Sequence, residues 1–418
     1  MKYKVFKFGG SSIHNAEHIK NFYSIINEHR NQNLIIIASA MNKTTNNLEL
    51  LHQYFLTHKA ELAQKQLQKI KDFHFSIIKD LFPSIDNTCT TKVENLFFQL
   101  EQLILSTPSN PDKDYSTIVS YGELISTTIL NEYLKTNGIN NTWLDARKLI
   151  ITNGTYRNAN VNWQITPNKI QKALKNQPQI IITQGFIASN EKGETTTLGR
   201  EGSDYTAAIF GYVLDSNEVT VWKDVNGIYN KDPHKYRDAT KINKLSYHET
   251  IELSYYGAQV IHPKTIKPLQ NKNIPLYVKS FYNPQDTGTI ITAQNQEPLP
   301  PIFIAKENQT LLTIYPLDFS FIGEEHIEIL FSLLNCYHIK TSLLQHSAIS
   351  FSIVFNDNPY YFKELLTELK SRFKVLYNKG LTLITIRHYT EKLLERITSG
   401  KEIFIEQKTR KTARFVLK

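Results

Sequence analysis

The chain has 418 residues, 41% of them hydrophobic and 21% charged, which fits a soluble globular protein of two or three domains. Its net charge of +9 and pI near 9.1 invite a nucleic-acid reading, but the lysines are scattered and no basic run is interleaved with stacking aromatics, so nucleic acid is set aside. Two cysteines without a CxxC exclude a disulfide framework or a cysteine zinc site, and no signal peptide or membrane-length apolar run is present, so a reducing cytoplasm is expected and a membrane is not.

Residues 2–8 alternate polar and apolar and end in Lys7-Phe8-Gly9-Gly10-Ser11-Ser12. This predicts strand, glycine turn and helix, with Ser11 or Ser12 as the cap. Adjacent glycines let backbone amides approach a bound group, and Lys7 reaches the same point, a phosphate-binding design. Neither GxxxxGK[ST] nor GxGxxG occurs, and an ordinary β-to-α turn is the plain alternative. A helix through about Ile26 leads to the apolar run 33–38, a buried parallel strand. It delivers the hydroxyl-rich residues 39–46 to a strand's C-terminal end, where open α/β sheets bind ligands. Residues 47–105 read as packing helices, with Pro108 and Pro111 in a loop. Ser120-Tyr121-Gly122-Glu123 reads as a helix start, where Glu123 is most simply an acid favoured by the helix dipole. A short strand near 142–144 and a helix from Thr166 or Pro167 precede a buried strand at 179–183, which carries Gln184-Gly185-Phe186 to the same edge.

Residues 195–208 read TTTLGREGSDYTAA. They predict a flexible loop ending at a helix N-terminus capped by Ser203 or Asp204, where free N–H groups favour an anion. Arg200 adds a fork for a carboxylate or phosphate and Asp204 an opposite charge, so the stretch suits a zwitterion such as an amino acid. A helix cap with a surface Arg–Asp pair is the bland alternative. A strand at 218–222 exits through Lys223, Asp224 and Tyr229, and a helix spans about 248–255. Residues 257–263 read as a turn and short strand, and 275–278 as a strand. His262 reads as packing or hydrogen bonding, and His326, His338 and His346 lack metal spacing. Strand and helix alternate, which predicts a mainly parallel sheet covered on both faces.

After Gly288 the pattern changes. A polar link over 294–301 leads to βαββαβ: strand 310–315, helix 324–334, strands 339–344 and 348–355, helix 362–372 and strand 374–377. A second partial copy follows over 381–416, with residues 302–305 as the candidate to complete it.

Residues 7–12, 120–123, 195–208, 222–229 and 246–263 (SYHETIELSYYGAQVIHP), in that order, resemble the aspartate kinases of the amino-acid-kinase superfamily. The tail resembles that family's tandem ACT modules, so the likeness covers nearly the whole chain. It implies a three-layer αβα sandwich with a mainly parallel sheet, the amino-acid-kinase fold, over 1–293. It further implies α+β ACT-like domains over 301–418, with a first unit at 310–377 and a second at 378–418 completed by 301–306. The implied reaction is transfer of the ATP γ-phosphoryl group to the β-carboxylate of L-aspartate. Lys7, Gly9, Gly10 and Asp204 would be catalytic, the lysine and the two glycines stabilising the transferring phosphoryl. Ser39, Thr45, Glu123, Arg200 and Ser203 would bind aspartate, with Arg200 on its α-carboxylate, while Glu123 and Asp204 would neighbour its ammonium or orient Lys7. Lys7, Gly10, Ser11, Lys223, Asp224 and Tyr229 would hold the nucleotide. Mg2+ would come with ATP, and no protein metal ligand is named.

Three positions depart from the family pattern. Glu201 replaces a frequent glycine and is expected to point to solvent. Gln259 replaces a frequent lysine. The effector segment 341–348, with candidate contacts Ser342, Gln345 and Ser347, carries no acid, so lysine, threonine or no effector stay open. A homodimer or higher oligomer is expected, because half-complete ACT-like units pair across a symmetry axis. A kinase for another acidic amino acid and a catalytically silent amino-acid sensor are the competing readings.

Overall fold

The structure, a computed structural model, describes residues 2–82, 88–175, 177–258, 261–294, 298–318, 320–357 and 359–418. The chain divides into two compact units. The first is Met1–Ile228 with Lys241–Ser254 and Val260–Gln296, and the second is Tyr229–Thr240 with Tyr255–Gln259 and Glu297–Lys418.

The first unit is built on an eight-stranded sheet in the order Lys244–Ser246, Thr289–Thr292, Leu276–Ser280, Glu218–Lys223, Lys4–Phe8, Leu34–Ala38, Ile180–Gln184, Asn141–Leu144. All pairings are parallel except that of Leu276–Ser280 with Thr289–Thr292. Leu34–Ala38 is buried at every residue, as a central parallel strand covered on both faces must be. The side-chain alternation of Lys4–Phe8 sets which layer meets which residue. Phe6 and Phe8 face a large apolar core shared with helices Ala16–Glu28, Thr44–Leu56, Ala60–Leu81, Thr88–Leu105 and Pro111–Thr136. Val5 and Lys7 point the other way, toward the layer holding helix Gly202–Val213, which packs on strands Lys4–Phe8, Leu34–Ala38 and Glu218–Lys223. Each fully buried Ile or Phe of such a core contributes about 1.5–3 kcal/mol.

Several local expectations change. Helix Pro111–Thr136 begins at Pro111, so the Ser120 to Glu123 stretch lies inside a helix rather than at its start. The Asn110 side chain accepts from the Asp112 and Lys113 amides, and Pro111 supplies the preset φ of a first helical residue. Residues Gly10–Ile13 form one 3-10 turn, and the first full helix is capped by Asn15 rather than Ser11 or Ser12. The residue in the N-cap position of helix Gly202–Val213 is Glu201, with a left-handed backbone, and no side chain caps it; Ser203 and Asp204 lie in the first turn. Thr195–Thr197, read as loop, is a buried strand paired with Ile187–Asn190. Helix Pro263–Asn271, which was not foreseen, begins at the last residue of the stretch read as a turn and short strand, with the His262 ring nitrogen accepting from the Lys264 amide; Gln259 lies outside the described residues.

The second unit contains a six-stranded antiparallel sheet in the order Thr341–His346, Phe351–Asn356, Ile302–Pro316, Phe373–Arg387, Thr412–Leu417, Ile403–Lys408. Two of its strands are 15 residues long, and they pair with each other from Ile302 opposite Arg387 to Pro316 opposite Phe373. Residues 302–305 and 310–315, read as two strands, are thus one, and so are 374–377 and 381–387. Helices Glu324–Cys336 and Pro359–Lys370 bury Leu312, Ile314, Ile353 and Phe355, while helix Glu391–Thr398 covers Ile384, Ile386 and Phe415. The outermost strands approach each other through side chains: Gln407 donates to the Leu344 carbonyl at 2.6 Å and to Gln345 Oε1 at 2.7 Å. The sheet therefore curls, with Leu311, Leu343, Val354, Leu383, Ile405 and Val416 clustered together. Among the described residues no helix is long and apolar enough to cross a membrane.

Candidate active site

Strands Lys4–Phe8, Leu34–Ala38, Ile180–Gln184 and Glu218–Lys223 end level, with Phe8 opposite both Ala38 and Trp222, and Ala38 opposite Gln184. Lys4–Phe8 has Leu34–Ala38 on one side and Glu218–Lys223 on the other, so successive crossovers diverge from it. The loops that leave these carboxyl ends flank a crevice of the kind where open α/β sheets bind ligands.

Lys7 and Asp204 meet there. Strand alternation turns Lys7 toward helix Gly202–Val213, and Asp204 in that helix's first turn places Oδ1 2.6 Å from the Lys7 ammonium. Both side chains are nearly buried, at 13% and 5% exposure. Burial pushes the Asp204 carboxyl up, but Lys7 and then Lys223 outweigh it and hold the group below its ordinary value. Asp204 is thus a fixed anion that aims Lys7 and has Lys223 as a second cationic neighbour. Removing one partner of such a pair leaves a buried charge, at a cost of about 3–5 kcal/mol.

The glycine turn sits beside this pair. The Ser12 amide bonds the Gly9 carbonyl at 3.0 Å, and the Asn42 amide bonds the Gly10 carbonyl at 3.0 Å, clasping the turn to the loop after Ala38. A β-carbon on Gly10 would lie 2.5 Å from the Ala40 carbonyl oxygen, so that glycine is demanded by the protein's own packing. A β-carbon on Gly9 would come no closer than 3.5 Å, to the Lys7 ammonium. The space above Gly9 is open on the side where Lys7 points.

Glu123 approaches from helix Pro111–Thr136. Gly122 lets that helix lie against Ala40, where a β-carbon would be 2.8 Å from the Ala40 side chain. Ser126 donates to the Ser39 carbonyl at 2.7 Å, and the Ala40 amide donates to Glu123 Oε1 at 3.2 Å. Glu123 Oε2 is buried and accepts from no described residue. Burial pushes the Glu123 carboxyl up to about 8, and the Ala40 amide only partly offsets this. A buried carboxyl with one oxygen unused is a ready receptor for a ligand ammonium.

Gly199 and Glu201 both hold positive φ, and Arg200 between them is exposed. Arg200 pairs with no described side chain, so its guanidinium is available to a ligand. The expectation that Glu201 points to solvent is wrong: its carboxylate accepts from the His262 amide at 2.9 Å. Opposite it, Lys264 bonds Asn158, whose side chain packs where a β-carbon on Gly199 would stand. The loop is braced on both flanks, and a glycine at 201 would lack one brace. Ser203 is buried against Gly185, where a β-carbon would lie 2.5 Å from the Ser203 side chain.

Of the remaining candidates, Ser39 and Thr45 are half-buried in the loop and first helical turn after Ala38. Ser11 and Asp224 are exposed at their strand exits. Tyr229 begins the second unit. In that unit Ser342 is half-buried while Gln345 and Ser347 are exposed on and after strand Thr341–His346. Asn42 was not foreseen as part of the clasp, although an asparagine is among the residues that tolerate its positive φ of 50°. Among the described residues no three His, Cys, Asp or Glu side chains gather as a metal cage.

The family model described as the amino acid kinase family matches residues 2–280. The chain is 32% identical to lysine-sensitive aspartokinase 3 of Escherichia coli over 96% of its own length and 90% of that protein. It is also 32% identical to the chloroplastic aspartokinase 1 of Arabidopsis thaliana over 87% of its length, and spans 65% of that protein. Solved structures of E. coli aspartokinase III superpose over 100% of this chain and 96% of theirs at 27% identity. The TM-score is 0.83 for the complex with lysine and aspartate and 0.81 for that with aspartate and ADP. The level strand ends, the Lys7–Asp204 pair and these matches together assign the chain to the amino acid kinase family, among its aspartokinases.

Proposed function

We propose that the protein transfers the γ-phosphoryl group of ATP to the β-carboxylate of L-aspartate, giving 4-phospho-L-aspartate for lysine, threonine, methionine or diaminopimelate synthesis. The observation that carries this reading is one crevice holding a buried Lys7–Asp204 pair and a buried Glu123 with an unused oxygen. E. coli aspartokinase III, solved with aspartate and ADP, supports it.

A carboxylate is already a nucleophile, so no general base is required, and catalysis is positioning plus electrostatics. Lys7, aimed by Asp204, would meet the charge that grows on the transferring phosphoryl oxygens, with Gly10 and the open face of Gly9 beside it. Ser11, Lys223, Asp224 and Tyr229 would hold the nucleotide. Arg200 would hold the α-carboxylate, Glu123 the ammonium, and Ser39, Thr45 and Ser203 the remaining faces of aspartate. Magnesium would come with ATP, held largely by the nucleotide's phosphates and water.

Two free cysteines, Cys89 and Cys336, suit a reducing cytoplasm. An amino-acid effector, lysine or threonine, is assigned to the ACT-like region around Ser342, Gln345 and Ser347, in an oligomer of at least two copies.

The deciding experiment is ADP release from magnesium ATP with L-aspartate, L-glutamate, N-acetyl-L-glutamate or no acceptor, trapping acyl phosphate with hydroxylamine. Aspartate-dependent hydroxamate is expected. Arg200→Ala is expected to raise KM for aspartate about tenfold or more. An unchanged KM, or hydroxamate formed only with another acceptor, would remove the substrate assignment.

A further inference from the structure

The second unit holds a group of cations that the reading above does not use. Lys306 projects from strand Ile302–Pro316, and its ammonium donates to Ser342 Oγ at a long 3.4 Å. Arg414, on strand Thr412–Leu417, donates to the carbonyl of the same Ser342 at 2.5 Å and to Thr385 Oγ1 at 3.4 Å. Its guanidinium stands 5.1 Å from the centre of the Tyr256 ring, and that of Arg387 stands 5.9 Å from the same centre. Arg387 is buried and donates to Thr412 at 2.9 Å. Gly257 packs on the Lys306 stem, where a β-carbon would overlap it, so the lysine's path is fixed.

Neither Lys306 nor Arg414 has an acidic partner among the described residues. Burial holds both below their ordinary pKa values, and the Arg414 charge lowers Lys306 further. Two half-buried like charges that converge on one serine cost energy unless an anion joins them. Ring faces and neutral oxygens lower that cost without cancelling the charge. A ligand ammonium would be repelled at this point, which takes Ser342 from the amino-acid effector and leaves that ligand to Gln345 and Ser347. A single carboxylate would leave one positive charge uncompensated, whereas a phosphate group near neutral pH supplies close to two negative charges and acceptors for both an ammonium and a guanidinium.

We infer that Lys306, Arg414 and Ser342, with Arg387 and Tyr256 behind them, form a binding site for a phosphate-group anion in the ACT-like unit. The inference is independent of the kinase assignment, since it uses no residue of the crevice. Free phosphate and a phosphomonoester share the required chemistry.

The test is thermal unfolding and calorimetric titration of the full chain in HEPES, with potassium phosphate or glycerol 3-phosphate against ionic-strength-matched potassium chloride. Saturable stabilisation by one or both anions is expected. Lys306→Met and Arg414→Gln are each expected to weaken that binding about tenfold or more. Without phosphate, Lys306→Met is expected to unfold at a higher temperature than the parent, because a repelling charge is gone. If Arg414→Gln does not fold, Lys306→Met and Lys306→Gln decide alone. A response to phosphate only identifies the free ion, and one stronger with the ester identifies a phosphorylated metabolite; either supports the site. The site is overturned if both lysine variants keep the full response, or if no anion outperforms chloride.

Discussion

Glu123 is a buried carboxyl whose folded pKa of about 8 lies above its ordinary value. A raised carboxyl pKa contributes stability that is present at low pH and is lost as pH rises through the folded value. The free protein is therefore expected to lose Tm between about pH 4.5, where the unfolded carboxyl ionises, and about pH 8, where the folded one does, and Glu123→Gln to flatten that fall. Near neutral pH the group is largely protonated, so a ligand ammonium that pairs with it must displace its proton. Aspartate titrated in buffers of different ionisation enthalpy should release a proton from the parent and none from Glu123→Gln. Equal release from both proteins would contradict the pairing. The two glycines beside Lys7 separate on similar grounds. Gly10→Ala forces a methyl group against the Ala40 carbonyl and is expected to destabilise the fold by about 1–3 kcal/mol. Gly9→Ala has room within the protein and is expected to keep the Tm while weakening ATP binding. Urea unfolding and nucleotide titration of the two variants distinguish a packing role from a ligand role.

At the scale of elements, helix Pro111–Thr136 carries Glu123 a dozen residues from its own start. Its first turn is held by the Asn110 cap, and Asp114 accepts from the Ser109 amide at 2.8 Å. Asn110→Ala should cost about 1 kcal/mol in stability, read by urea unfolding, with kcat and KM unchanged because the cap lies far from the crevice. This helix also shows what the sequence made legible. The strand ends that build the crevice follow from unbroken apolar runs such as residues 34–38, and Lys7, Glu123 and Asp204 stand out as charges beside them. The helix start was displaced because Ile118-Val119 mimics a short strand, whereas Asn110-Pro111 holds the capping chemistry. The long strands of the second unit were each split in two because Asn308 and Gly380 look like turns. They do take positive φ, but inside a continuous ladder with shifts in register near Gln309. Glu201 was misplaced because its partner is a backbone amide 61 residues away, and a main-chain donor leaves no mark in a sequence.

For the whole molecule, Phe321 and Leu317 are exposed at 77% and 62%, and Ile349 nearby in the ACT-like pattern at 45%. Large exposed apolar side chains of this kind suit contact between copies. Phe321→Glu is expected to shift the protein toward monomer by light scattering, and an unchanged mass would exclude this face from the oligomer contact.

The paired 15-residue strands have a consequence for how the ACT-like unit can come apart. Each runs through both βαββαβ halves, so neither half owns a complete set of backbone partners. Peeling one half away would expose the amides of a ladder that the other half shares. The halves must then melt as a single cooperative block, and a cut between them would yield two chains that stay zipped together rather than two independent modules.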